Sequence, residues 1–576
     1  MDDILEFLPI YPDINDESFN QQIYNKKEFF DNKLESYEKL PDKKGTLLKN
    51  QIIISYFFSS YTLYDQLLLY HSMGSGKTCT SIACIEKIKN EKSTFKGAII
   101  FAKGKLLLSN YKRELLYKCT KGQYINRKSK NKLSTALVKD YYSFKTFQTF
   151  SNFIKNKTDD FITNEYSKYI IVIDEVHNIR QDDDKTLYKQ FHRFLHLIQN
   201  CKILLMSGTP IKDKIDEIAD VMNLILPMYK QIPVKEKFLN RYFDEIDNFD
   251  NDILYKLKDD KNLVNELKSK FRGRVSYLQS IKSSVKKEFV GESNYKSLKN
   301  IIVVPTVMSD HQTKGYAKAH KTEIVQEGED ETAPPPEEVP PEDKMPELVP
   351  DSDERDGANE DSFDINSTRA SIFVFPDESY GITGFQKYIS GDSIKNYKLT
   401  SKFVEFLRKK ETPEESDEET LLKNIGKCSS KYGHVIKNIL KSVRDPVNKK
   451  CMFLYNNTVK GGGVILFSLL LKLFNFKQAN LSSDKSKGLR FILITTENAK
   501  DSKYIIDNIF NDKKNVHGDY ISLIIGSRIV SEGFSFNHIQ EEYIITPYWN
   551  YSEIDQAIAR GLRFGSHNAL IENFRE

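Results

Sequence analysis

Cysteine is scarce in this chain and scattered along it. The six residues Cys79, Cys84, Cys119, Cys201, Cys428 and Cys451 show no metal-ligand spacing, and six in 576 residues make a poor disulfide framework. That excludes a small secreted scaffold and leads us to expect a reducing compartment. Long apolar runs are missing too: none approaches the roughly 18 residues that span a bilayer. The N-terminus, MDDILEFLPIYPDIND, is acidic and carries no basic stretch ahead of an apolar one. No internal repeat of fixed period is present, so a solenoid is excluded. A soluble intracellular protein with no membrane association is expected.

What is present is material for several cores, with 39% hydrophobic residues over 576 positions. Charge is unevenly placed. Between Thr322 and Asp364 there are 17 acidic and 2 basic residues, so that a chain of net charge +4 carries −15 in this stretch and +19 elsewhere. The basic remainder suits a polyanionic partner. The acidic stretch contains Pro334-Pro335-Pro336 and no aromatic before Phe363, and cannot bury enough apolar surface to fold. It is expected to be a disordered, solvated tether; the alternative is a mimic of DNA that occupies a basic cleft.

From Asn50 to Pro210 short apolar runs alternate with polar helical segments. Leu67–Tyr70, Ala98–Phe101, Ile170–Ile173 and Ile203–Met206 read as strands buried on both faces of a parallel sheet. A second α/β pattern offers strands at Met452–Tyr455, Phe491–Thr495, Ser522–Ile525 and Tyr543–Thr546. The segment from Lys212 to Lys287, rich in Lys, Glu, Asp, Leu and Phe at helical spacing, reads as a helical insertion.

Three strings carry chemistry in the first pattern. The run from His71 to Thr78 follows a strand and opens a helix, expected over Cys79–Lys89. Gly74 and Gly76 let the loop turn tightly with its N–H groups converging on a phosphate, and Ser75 lies between them. Lys77 can then reach the outer phosphates of ATP, and the Thr78 hydroxyl is placed to hold Mg²⁺. His71 stands where the strict phosphate-loop pattern has glycine. Asp174-Glu175-Val176-His177 follows the strand Ile170–Ile173 directly. Asp174 is a Mg²⁺ ligand candidate, and Glu175 is placed to orient and deprotonate the attacking water. Ser207-Gly208-Thr209-Pro210 ends a third strand; with His177 it reads as an element coupling hydrolysis to movement. Upstream, the Gln51 carboxamide is a candidate reader of the adenine edge, with an ordinary surface glutamine as the alternative.

In the second pattern Gln556, Arg560 and Arg563 fall four and three residues apart, on one face if the segment is a helix. Two guanidiniums presented together can neutralise charge developing on a γ-phosphate; a solvated helix face is the alternative. With these strings in place the sequence resembles the superfamily 2 helicases and translocases. The resemblance implies two RecA-like lobes with ATP and Mg²⁺ between them, nucleic acid running across both, and Arg560 and Arg563 as arginine fingers. The runs Ser527–Phe536, Pro547–Asn550, Gly565–His567, Phe271–Tyr277 and Met308–Gln312 narrow it to the helicase-like proteins of large nucleocytoplasmic DNA viruses. That group includes the poxvirus early transcription factor small subunit and nucleoside triphosphatase I. The resemblance adds Glu532 and Gly533 to the coupling residues.

The expected organisation is an N-terminal extension (1–44), a RecA-like lobe (45–215), a helical insertion (216–300), a linker region (301–430) with the disordered acidic segment 322–364, and a second RecA-like lobe (431–576). Only 13 residues follow Arg563, so this second lobe is expected to be incomplete and the chain to be the front part of a longer protein. The expected function is a duplex-DNA-dependent ATPase in early viral transcription, as an initiation or termination factor, with viral RNA polymerase as a partner and the virion as a second location. The alternatives are a strand-separating DNA or RNA helicase, and a helicase-fold scaffold that recruits the polymerase.

Overall fold

The computed structural model describes residues 11–33, 46–72, 74–120, 122–124, 138, 140–180, 185–211, 214–246, 254–278, 285–293, 302–330, 365–531, 534–546, 551–562 and 565–573. The chain divides into two compact units, Met1–Ser284 and Val285–Glu576.

The first unit is built on a sheet of six parallel strands: β1 (Gln66–His71), β2 (Gly97–Ala102), β3 (Tyr142–Thr146), β4 (Tyr169–Asp174), β5 (Lys202–Ser207) and, after an antiparallel hairpin of β6 (Phe243–Ile246) with β7 (Leu254–Leu257), β8 (Val275–Leu278). Their order across the sheet is β3-β2-β4-β5-β1-β8. The four continuous apolar runs are the four central strands, and the reason for the pattern is visible in the packing. Leu68, Ile171, Ile173, Ile203 and Leu205 enter one core, while Leu67, Leu69, Ile170, Val172 and Leu204 enter another on the opposite face. A strand covered on both sides has no polar alternation to show. Each fully buried aliphatic side chain contributes about 2 kcal/mol. Helices α1 (Lys49–Phe57), α2 (Lys77–Asn90) and α3 (Lys105–Glu114) precede or connect the early strands. The order places β5 between β4 and β1, so Asp174 pairs across from Met206 and Tyr70 from Ser207. The carboxyl ends of three strands far apart in sequence are thereby brought side by side.

The segment 216–300 departs from the helical expectation. It holds α4 (Glu217–Asn223), α5 (Glu236–Tyr242) and α6 (Lys261–Phe271), but also the β6-β7 hairpin, and β8 joins the main sheet as its edge strand alongside β1. Val275-Ser276-Tyr277-Leu278 lies half-exposed, which removes the apolar run that marks a central strand.

The second unit contains a five-stranded parallel sheet formed by β9 (Cys451–Tyr455), β10 (Lys477–Gln478), β11 (Arg490–Ile494), β12 (Leu523–Gly526) and β13 (Ile539–Ile544), in the order β10-β11-β12-β9-β13. With helices flanking each sheet, both units are RecA-like α/β folds. The expected linker at 301–430 is largely a folded part of this unit. Phe373, Phe375, Phe385, Phe403, Leu421 and Ile425 share one core with Met452, Leu454 and Phe491, because the helices of 365–444 present apolar faces that need a partner. The acidic stretch also begins inside a helix: α7 (Asp310–Asp330) runs through the first nine positions of 322–364, and positions 331–364 lie outside the described residues. Among the described residues no helix is long and apolar enough to cross a membrane.

Candidate active site

The phosphate loop connects β1 to α2. Gly74 and Gly76 adopt φ of 78° and 85°, a left-handed backbone open to glycine at little cost. Gly76 caps α2 in that conformation, and a Cβ there would stand 2.6 Å from Gln51 Nε2. Lys77 and Thr78 therefore fall in the first turn of α2, where N–H groups and the helix dipole favour an anion. The Lys77 ammonium donates to the His71 carbonyl at 2.9 Å. Ser75 is buried, and among the described residues its Oγ has no hydrogen-bond partner. A buried hydroxyl between two left-handed glycines beside a lysine ammonium fits a phosphate oxygen.

Gln51 is also at this loop, and each half of its carboxamide has a protein partner. Its Oε1 accepts from the Leu48 N–H at 3.0 Å, and its Nε2 donates to the Gly76 carbonyl at 3.4 Å. Both halves of the carboxamide thus serve the start of α1 and the loop. His71 is 1% exposed and shares a hydrogen bond of 2.9 Å with Ser276 of β8. Burial, with Lys77 adding to it, pushes the imidazole down to about 4, so it is neutral at ordinary pH. The residue out of place in the loop pattern thus ties the loop to the edge strand.

Asp174 ends β4. Burial, then the neighbouring Glu175 carboxylate, raise its carboxyl above the ordinary range, and the Lys77 ammonium opposes them. Lys77 and Asp174 therefore lie close enough for their charges to influence one another. Glu175 itself has φ 51° and ψ 54°, a conformation that costs a non-glycine residue about 1–3 kcal/mol and clusters at functional sites. The expected coupling residues meet: His177 Nδ1 lies 2.8 Å from Ser207 Oγ, and the same Oγ accepts from the Thr209 N–H at 3.0 Å. His177 Nδ1 is also 3.5 Å from Glu175 Oε2. A continuous polar path thus leads from Glu175, just after β4, to the turn after β5.

Several residues here escaped the sequence reading. Arg180 forms a buried ion pair with Glu217 of α4, joining the segment after Glu175 to the helix that follows Thr209. Tyr111 of α3 hydrogen-bonds Ser81 of α2 at 2.8 Å. Contrary to the expectation for the cysteines, Cys79 and Cys119 are joined in a disulfide. The sequence separation of 40 hid a contact that the packing of α2 beside α3 creates.

In the second unit Arg560 is 6% exposed. It does not extend a helical face with Gln556: α8 (Tyr551–Ile558) ends two residues earlier, and Arg560 sits in the following turn, its carbonyl accepting from the Phe536 N–H at 3.0 Å. Gly561 is held so closely that a Cβ would lie 2.3 Å from Glu542 Oε1. Glu542 was not singled out from the sequence; burial pushes its carboxyl up to about 8, opposed by Lys287. Arg563, Glu532 and Gly533 lie outside the described residues.

Comparison with known proteins agrees with this geometry. Residues 51–334 match the SNF2-related domain. A helicase candidate of Invertebrate iridescent virus 3, 087L, is 33% identical over 594 residues, covering 99% of this chain and 52% of that protein. The chain thus spans about half the length of that relative. Nucleoside triphosphatase I of Melanoplus sanguinipes entomopoxvirus is 26% identical, covering 94% of this chain and 75% of that one. A termination factor NPH-I homolog of African swine fever virus is 25% identical, with 96% and 76% covered.

Proposed function

We propose that this chain, which matches the SNF2-related domain over residues 51–334 and resembles the helicase-like proteins of large nucleocytoplasmic DNA viruses, is an ATP-hydrolysing motor that moves on duplex DNA and serves early viral transcription. One observation carries the ATPase reading. The phosphate loop, Asp174-Glu175 and Ser207–Thr209 stand at the carboxyl ends of three adjacent parallel strands, and the Ser207 hydroxyl there bonds both the His177 ring and the Thr209 N–H.

In this reading the left-handed loop and the first turn of α2 take the phosphates, and Lys77 leaves the His71 carbonyl to reach them. Thr78 and Asp174 hold Mg²⁺, which when bound neutralises phosphate charge. Glu175 positions a water for in-line attack and accepts its proton. Arg560 and Arg563 take the part the resemblance gives them, as arginine fingers that offset the charge of the transition state. The His177–Ser207–Thr209 path passes the state of the Glu175 site to the turn after β5 and, through α4, to the Arg180–Glu217 pair.

Support for nucleic acid comes from the SNF2-related match and from the excess of +19 outside the acidic stretch. The form Ser207-Gly208-Thr209-Pro210 followed by α4 favours translocation along a duplex over strand separation. Support for a transcriptional role is the likeness to the termination factor homolog. The test is ATPase activity of the protein with duplex DNA, single-stranded DNA and RNA side by side. Stimulation by duplex without strand displacement is expected; hydrolysis indifferent to all three removes the motor reading. A Lys77→Ala protein that still hydrolyses ATP removes the site.

A further inference from the structure

Four of the six cysteines are chemically silent. Cys84, Cys201, Cys428 and Cys451 are buried, and burial pushes each thiol above its ordinary range, which leaves them protonated and unreactive. The other two are bonded to one another, and their placement is specific. Cys79 directly follows Thr78, in the first turn of α2. Cys119 ends the π-helical turn Leu115–Cys119 that continues α3, a distortion frequent at functional sites. The two Cα atoms are 5.3 Å apart, within the range that bridges without backbone movement.

We infer that Cys79 and Cys119 form a reversible thiol–disulfide site that sets the mobility of the first turn of the phosphate-binding helix. The inference rests on the ATP reading for its consequence only. Two features make the pair reactive where the other four are not. Cys79 is only partly buried, so a small thiol or disulfide can reach it. Its partner is already in place.

The exchange is balanced with a glutathione-type disulfide as oxidant. The Cys79 thiolate attacks one sulfur of that disulfide, a mixed disulfide forms and one glutathione thiolate leaves. The Cys119 thiol then loses its proton to solvent and attacks Cys79 Sγ, and the second glutathione thiolate leaves. Two protein thiols are oxidised and one small disulfide is reduced to two thiols; a dithiol reductant reverses the sequence.

The consequence follows from where the bond pulls. With the disulfide closed, the turn carrying Lys77, Thr78 and Cys79 is fastened to the end of α3. In that state Lys77 is engaged by the His71 carbonyl, and taking up phosphate requires this turn to readjust. Reduction releases it. The disulfide form therefore binds ATP less tightly than the dithiol form, by about fivefold or more, the lower end of ordinary coupling between sites.

The experiment equilibrates the full chain in glutathione buffers of graded potential, with Cys119→Ser as the control. Peptide mass spectrometry reads the Cys79–Cys119 link, hydrogen exchange reads residues 77–90, and a fluorescent ATP analogue reads affinity. The link is expected to form and reopen. Amide exchange in the first turn of α2 should be several-fold faster in the dithiol form, and Cys119→Ser, which can go no further than a mixed disulfide at Cys79, should match that form in the reducing buffers and form no internal link in any. A pair that stays reduced in glutathione disulfide overturns the proposal, as does exchange in α2 that ignores the redox state. So does a reduced pair that, with Glu114, whose carboxylate lies within 4.8 Å of both sulfurs, retains a divalent metal ion. If neither form binds the nucleotide, the ATP reading fails, while link formation and exchange still decide this one.

Discussion

Gly76→Ala tests the geometry on which the site depends. At φ 85° an alanine is in the left-handed region, which costs about 1–2 kcal/mol for a residue with a Cβ. The new methyl would also stand 2.6 Å from Gln51 Nε2, closer than atoms approach. The flexible end of Gln51 is what can yield. Moving it gives up the Leu48 N–H cap and the Gly76 contact, a further loss of about 1 kcal/mol. The sum of about 2–3 kcal/mol lowers the melting temperature of the first unit by on the order of 8 °C. Gln51→Ala alone should cost only the second component. In the double variant Gln51 is already absent, so only the backbone component is added, and the double should melt with Gly76→Ala. The two changes are thus non-additive by about 1 kcal/mol. The assay is calorimetric or fluorescence melting of the four proteins, with ATP affinity measured in parallel and expected to fall in both proteins that carry the alanine at 76. Strict additivity, or a Gly76→Ala protein that melts and binds like the parent, refutes the reasoning.

Other consequences can be checked alongside it. Glu175→Gln keeps the shape of the side chain and removes the proton acceptor, so ATP turnover should fall by about 10²-fold or more while ATP affinity is retained; preserved turnover would assign the base elsewhere. Ser207→Ala cuts both hydrogen bonds of the path between His177 and Thr209, and basal hydrolysis should survive while stimulation by DNA drops, a split that paired assays with and without duplex would show. Glu542 holds its proton in the folded chain up to about 8, whereas its ordinary value is 4.5. The folded state therefore binds more protons than the unfolded state across that window, and stability declines as pH rises through it. Glu542→Gln cannot ionise: it should melt higher than the parent at pH 8 and alike at pH 4.5, and equal melting at both values would mean that Glu542 is not buried as described.

The parts of this protein that could be read from its sequence are those whose signal is local. Central parallel strands are buried on both faces, so Ile170–Ile173 and Ile203–Met206 stand out as runs, and a loop that binds phosphate must place Gly74, Gly76 and Lys77 within a few residues. Edge strands give no such mark. β3 reads Tyr-Ser-Phe-Lys-Thr and β8 Val-Ser-Tyr-Leu; each is covered on fewer sides and mixes polar with apolar positions. The same holds for single side chains. Gln51 looked like a base reader because a carboxamide can pair with adenine, yet its donor and acceptor are both engaged by the protein. His71 looked like a flaw in the loop because its partner, Ser276, lies 205 residues away. Arg180 and Glu217, or Cys79 and Cys119, pair at separations of 37 and 40. None of these pairings has a spacing rule, because each depends on which strands the sheet has put side by side. Strand order is therefore the missing variable: once β5 lies between β4 and β1, the histidine of one motif must face the serine of the next, and a set of separate strings becomes a connected site.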